Sequence, residues 1–304
     1  MSTSILDKLH RISLTLLCVG ALGLLAGGCA SPARVPLDPN AKNRIKASQG
    51  VVCMGQQEIA AAIETSNISQ ATGGGLIFAL IDAGINNSRA KDAEQDVVPV
   101  RDALIGYDVG QTLKTDIENA LKTAPWLNLK TVDIRQLKDE QALQSWLPTT
   151  EGNVVIFIRP FYRLTPNFSS ISISAQVSIQ GPVPAGSAGK PGAVFYSNTL
   201  GCMVPMPDGW PGDMPRIDAA NLWAMNSGRK ARKALDDGLS QIARLLAYDL
   251  EQPNPPEKKL FKVPEGTDTR ELPGAQRNYQ GYVTHSERTY NWVRFPFGEL
   301  YAMP

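Results

Sequence analysis

Few side chains in this sequence are suited to chemistry, and their spacing is wide. Two histidines, His10 and His285, stand near opposite ends of the chain, and the four cysteines are Cys18, Cys29, Cys53 and Cys202. None of these residues lies at the short intervals that zinc sites use, so no metal is expected. No Gly-x-Ser-x-Gly turn is present, and a Ser-His-Asp triad would have to be built on a lone histidine. Adjacent carboxylates occur at Asp139–Glu140 and Asp236–Asp237. They could act as acid and base in a hydrolase of glycans or cell wall, but such pairs are equally ordinary on solvated surfaces. Gly73-Gly74-Gly75 precedes an apolar stretch without the lysine or the glycine spacing of a phosphate-cradling loop, so no nucleotide is expected. Lys+Arg number 30 against 29 Asp+Glu, a balance that offers nothing to a nucleic acid. The basic run Arg229-Lys230-Ala231-Arg232-Lys233 reads as a helix face in water.

The most informative chemistry sits at Cys29. Lys8 and Arg11 precede an uncharged run, ISLTLLCVGALGLLAGG, which ends in small residues. A basic start, an apolar centre and a small-residue end are the pattern of a secretory signal. The stretch Leu24-Leu25-Ala26-Gly27-Gly28-Cys29 resembles the lipobox of bacterial lipoprotein precursors, departing from it at Ala26, where that family prefers leucine. The resemblance implies cleavage before Cys29, a diacylglycerol on its thiol and an N-acyl group on its new amine. Two or three acyl chains hold a protein stably on a bilayer, whereas one is marginal. In such lipoproteins an aspartate directly after the cysteine favours the inner membrane. Ala30 and Ser31 follow here, so the expectation is an outer-membrane anchor facing the periplasm. An uncleaved spanning helix is the alternative, and it would want about twenty apolar residues with flanking anchors.

That compartment bears on the remaining residues. Cys18 and His10 would leave with the signal, so the body keeps Cys53, Cys202 and His285. Two thiols in an oxidising space predict a disulfide, the other possibility being two separate buried thiols. A periplasm without ATP also fits the absence of a nucleotide motif. Enzymatic activity is not expected.

The elements that must position these residues follow from periodicity. Residues 1–28 form the signal and 29–43, rich in proline and polar, a tether. Residues 44–250 form one folded domain, 251–275 a Pro-rich linker and 276–304 a C-terminal β-hairpin segment. Within the domain Ile45 to Met54 reads as a strand, and so does ALIGYDV, with Asp108 capping the helix that follows. That helix carries Leu113, Ile117, Ala120 and Leu121 on one face and ends at Pro125. Leu127 to Ile134, Val154 to Ile158, the alternating Ser170 to Gln180 and the segment before Met203 predict further strands. A long helix begins near Asp218, with a stripe of Leu235, Leu239, Ile242, Leu246 and Leu250. The order implies an α+β two-layer sandwich, helices on one face of a mainly antiparallel sheet.

In element order this body resembles the periplasmic domain shared by the curli-secretion lipoprotein, the penicillin-binding-protein activator lipoproteins and the TolB N-terminal domain. The residues that carry the resemblance are the helix starting Asp108-Val109-Gly110, with Leu113, Ile117 and Leu121, and the strand block Asn153 to Met203. It covers roughly residues 45 to 250 and holds no diagnostic motif, so it implies a fold rather than a role.

Two apolar segments are candidate contacts with a membrane or a partner. Leu76, Ile77, Phe78, Leu80 and Ile81 read as a closely packed helix or as a surface for bilayer or subunit. Tyr290, Trp292, Phe295 and Phe297 read as a hairpin laid on the main sheet or presented outward. The function expected is a non-catalytic accessory subunit of an envelope assembly, bound to an envelope protein or to a second copy. The alternatives are a subunit of an oligomeric secretion or transport pore and a carboxylate-dependent cell-wall hydrolase.

Overall fold

A computed structural model of the chain describes residues 34–64, 76–137, 143, 145–148, 150–182, 192–207, 212–252, 268–271 and 280–304, without the side chains of 39, 76–82 and 84. The chain divides into two units, Met1–Ala33 and Arg34–Pro304. The first, with the expected signal and Cys29, lies outside the described residues. So do Asp139–Glu140 and most of the expected linker.

The second unit is an α+β fold around one large sheet. Its strands are β1 (Ala47–Met54), β2 (Ala60–Ala61), β3 (Leu129–Gln136), β4 (Asn153–Leu164), β5 (Ser170–Gln180), β6 (Val194–Pro205), β7 (Thr269–Glu271), β8 (Gln280–Ser286), β9 (Asn291–Arg294) and β10 (Leu300–Met303). They lie in the order β3-β1-β4-β5-β6-β10-β9-β8-β7, with β2 beside β4. The sheet is antiparallel through β4-β5-β6 and through β10-β9-β8-β7. It is parallel where β1 meets β3 and β4 and where β10 meets β6. The two-residue alternation of Ser170 to Gln180 predicts a strand with one buried face, and Ile171, Ile173, Ala175, Val177 and Ile179 are all buried.

The helices are α1 (Pro39–Arg44), α2 (Leu76–Asp96), α3 (Val98–Ala103), α4 (Val109–Ala120) and the long α5 (Arg216–Glu251). Asp108 caps α4, its carboxylate accepting from the Gln111 amide at 2.9 Å. The run ALIGYDV is not a strand. Pro99 opens α3, which consumes its first residue, and Gly106 turns the chain at φ 78°. Helix α5 breaks at Asn226, Ser227 and Gly228, all left-handed, at φ 54°, 57° and 71°. The kink lets both arms face the sheet. Trp223 before it and the predicted stripe Leu235, Leu239, Ile242, Leu246 and Leu250 after it are all fully buried.

The two faces of the sheet are covered differently. Val52 and Met54 of β1 point into the main core beneath the helices, while Val51 and Cys53 point the other way, against Leu143, Trp146 and Leu147. Residues 34–43 are not a free tether. Val35 and Ser197 exchange two backbone hydrogen bonds, at 2.7 and 2.9 Å, and Leu37 and Ala41 are buried in the main core. Their apolar side chains are too sparse to show a period, so the sequence reads as linker while the fold uses them as packing.

Candidate functional site

Asp249 is where the segment beginning at Arg34 and the C-terminal strands meet the core. It follows Leu246 by three residues on α5, so it shares the face that the apolar stripe lays on the sheet. A carboxylate is thereby driven under the sheet, fully buried, in the last turn of a helix whose carbonyl dipoles oppose negative charge. Burial on those terms requires partners. Oδ2 accepts three hydrogen bonds, from Arg34 Nε at 3.0 Å, Tyr196 Oη at 2.9 Å and Asn198 Nδ2 at 2.8 Å. Oδ1 accepts one from Arg294 Nη2 at 2.5 Å. Arg294 also donates through Nη1 to the Gly298 carbonyl at 2.9 Å.

Strand β6 supplies Tyr196 and Asn198 because alternate residues share a face, and β9 supplies Arg294. Arg34 is placed by its own backbone, whose N–H donates to the Phe297 carbonyl at 2.9 Å. Burial by itself would raise the Asp249 carboxyl; Arg294 and Arg34 outweigh it and hold the group below its ordinary range. Burial and the adjacent carboxylate both push the Tyr196 phenol up. Arg34 keeps two buried nitrogens, Nη1 and Nη2, without a hydrogen-bond partner. A carboxylate that is saturated by four donors and closed to solvent cannot move protons for a substrate. Its chemistry is that of a clamp joining the N-terminal segment, β6, the C-terminal strands and α5.

The predicted disulfide does not form. Cys53 and Cys202 are both buried free thiols. They point to opposite faces of the sheet, Cys53 toward the Leu147 side and Cys202 into the main core. Their strands, β1 and β6, are separated by β4 and β5, about 14 Å at ordinary strand spacing. Burial pushes the Cys53 thiol up to about 11 and the Cys202 thiol further.

Of the four C-terminal aromatic residues expected as contact candidates, three are turned inward. Tyr290, Trp292 and Phe295 are 7%, 5% and 1% exposed, which removes them as contact candidates, whereas Phe297 is 50% exposed. Trp292 meets Tyr248 of α5 edge-on at 4.9 Å, with the Arg244 guanidinium 5.5 Å from its ring centre. Its indole N–H donates to Gln241 Oε1 at 3.2 Å. The backbone of Leu76 to Ile81 opens α2, but the side chains of Leu76, Ile77, Phe78, Leu80 and Ile81 lie outside the described residues.

The remaining candidates have structural partners. Tyr107 Oη donates to Asp236 at 2.6 Å, and Asp237 pairs with Lys233 at 2.6 Å. His285 packs its ring on Trp292 at 4.7 Å. Arg232, from the basic run, donates to the carbonyls of Ala103 and Ile105 at 2.8 and 3.0 Å, securing the α5 kink. A cleft of 440 Å³ lies between the end of α4 and β3, large enough for a small ligand. Its charged residues are engaged nearby, Glu118 with Lys114, Lys122 with Asn119 and Lys130 with Asn128. Among the described residues no three His, Cys, Asp or Glu side chains are grouped to hold a metal.

Sequence reasoning missed Arg34, Tyr196, Asn198, Asp249 and Arg294. One signal was present, a lone acid spaced three residues beyond the last but one leucine of an apolar stripe. Compared with known proteins, the chain matches no family model, no curated protein and no solved structure.

Proposed function

We propose that this chain is a lipoprotein, acylated at Cys29 and held on the outer membrane facing the periplasm, that serves as a non-catalytic subunit of an envelope assembly. The observation that carries the reading is the clamp at Arg34. The chain enters the protein core five residues after the cysteine that resembles a lipobox cysteine. An anchor joined this closely to a buried ion pair acts on the whole body, which suits a subunit that must be held in place. Among the described residues, Asp236, Asp237 and His285 have partners within the fold, which supports the same reading. The partner is an envelope protein or a second copy of this chain.

Cross-linking in intact cells, followed by membrane isolation, tests the proposal. Wild-type protein should carry the acyl mass and be trapped as a discrete larger species. Cys29→Ser should lose the acyl mass and the membrane association together. Acylated protein recovered only as a monomer with no neighbours would overturn the subunit role.

A further inference from the structure

The clamp at Arg34 also determines which pole of the body meets the bilayer. A tether running from 29 to 43 would let the domain stand about 50 Å from the membrane and turn freely. The tether is much shorter. Arg34 has a side chain 1% exposed and bonds Asp249 at 3.0 Å, while Val35 is bridged to Ser197. Five Cα–Cα steps therefore separate Cys29 from the rigid fold, a reach of about 17 Å. A compact body of this size is roughly 50 Å across, so only the side carrying Arg34 lies within reach of the headgroups.

That side presents large apolar groups to solvent. Val35 is 40% exposed and Phe297 is 50% exposed. Their backbones adjoin, because the Arg34 N–H bonds the Phe297 carbonyl. We propose that Val35 and Phe297 form a membrane-facing patch, seated in the headgroup layer of the bilayer that holds the Cys29 acyl chains. The occupant is a lipid surface because the chain's own length brings that surface to the patch. The inference rests on the lipoprotein reading above and adds a fixed orientation to it. The far end of the arm of α5 that carries Asp249 is marked by Ile105, which is 76% exposed and whose carbonyl accepts from Arg232. Arg232 lies seventeen residues before Asp249 on one straight arm of α5, about 25 Å along the axis.

The test uses the acylated full chain in vesicles that contain headgroup-nitroxide lipid. Phe297→Cys and Ile105→Cys each receive a fluorophore, and the native Cys53 and Cys202 are buried with thiols pushed up, so they stay unlabelled. A companion chain carries about twenty Gly/Ser residues inserted between Ala30 and Ser31. Flotation first reports whether the protein is anchored; failure there overturns the lipoprotein reading itself. In floated protein the probe at 297 should be quenched severalfold more than the probe at 105, and the insertion should abolish the difference. Equal quenching at both positions in floated protein would overturn the orientation. A difference that survives the insertion would overturn the short tether as its cause.

Discussion

Replacing Asp249 by Asn would remove the carboxylate that pairs with two buried guanidiniums, Arg34 and Arg294. The expected loss is about 3–5 kcal/mol, because an unpaired buried ion is harder to accommodate than a missing pair. The acid dependence follows from the lowered carboxyl. A group held low in the fold and near 4 when unfolded contributes stability that is complete above about pH 4. That contribution fades as the pH falls through the folded value. Urea midpoints of the detergent-solubilised protein should therefore drop on acidification for the wild type, and more steeply than for Asp249→Asn; parallel curves would contradict the assignment. The cysteines give a second expectation at this scale. Alkylation after unfolding without reductant should add two labels, at Cys53 and Cys202, whereas in the native protein at neutral pH both should react slowly. Both residue types were visible in the sequence, but their partners were not. A carboxylate's neighbours and a thiol's sheet face depend on strand order, which local spacing does not encode.

At the scale of elements, the kink in α5 is the feature least legible in the sequence. Asn226, Ser227 and Gly228 follow one another in the left-handed region, where a side chain at Gly228 would lie 2.8 Å from the Ala103 carbonyl. Gly228→Ala should cost about 1–3 kcal/mol through strain and overlap. The melting temperature should fall by several degrees, since 1 kcal/mol shifts it by about 2–4 °C in a protein near this size. The apolar stripe predicted the C-terminal arm correctly, because burial against a sheet demands that spacing. It could not show that a second arm, carrying Trp223, is bent to reach the same core. The C-terminal strands follow similar logic. Aromatic side chains in a short hairpin look alike whether they cover a sheet or await a partner, and Trp292 finds Tyr248 and Gln241 in its own chain. Trp292→Ala should accordingly act on folding, lowering stability by about 3–5 kcal/mol.

At the scale of the whole molecule, the body from Arg34 to Pro304 closes through segments far apart in the chain. Because β10 lies between β6 and β9, the last residues extend the central sheet and bring Arg294 to Asp249. A chain ending at Gln252 would expose the β6 edge and leave the clamp incomplete. It should be recovered as aggregate, with soluble yield and far-UV dichroism as the measurements. The C-terminal segment, which reads from sequence as a hairpin laid on the main sheet or presented outward, extends that sheet, and residues 34–43 of the expected 29–43 tether pack against the body. What the sequence by itself determined was the α+β class, most strands and helices and the Asp108 cap. These are local properties, written in side-chain period, turn residues and short motifs. The tertiary structure decided the strand order, the separation of Cys53 from Cys202, the inward turn of the aromatic residues and the meeting of Arg34, Asp249 and Arg294. Each of those joins residues far apart in the chain, and only the packing of one sheet face under one bent helix brings them within bonding distance.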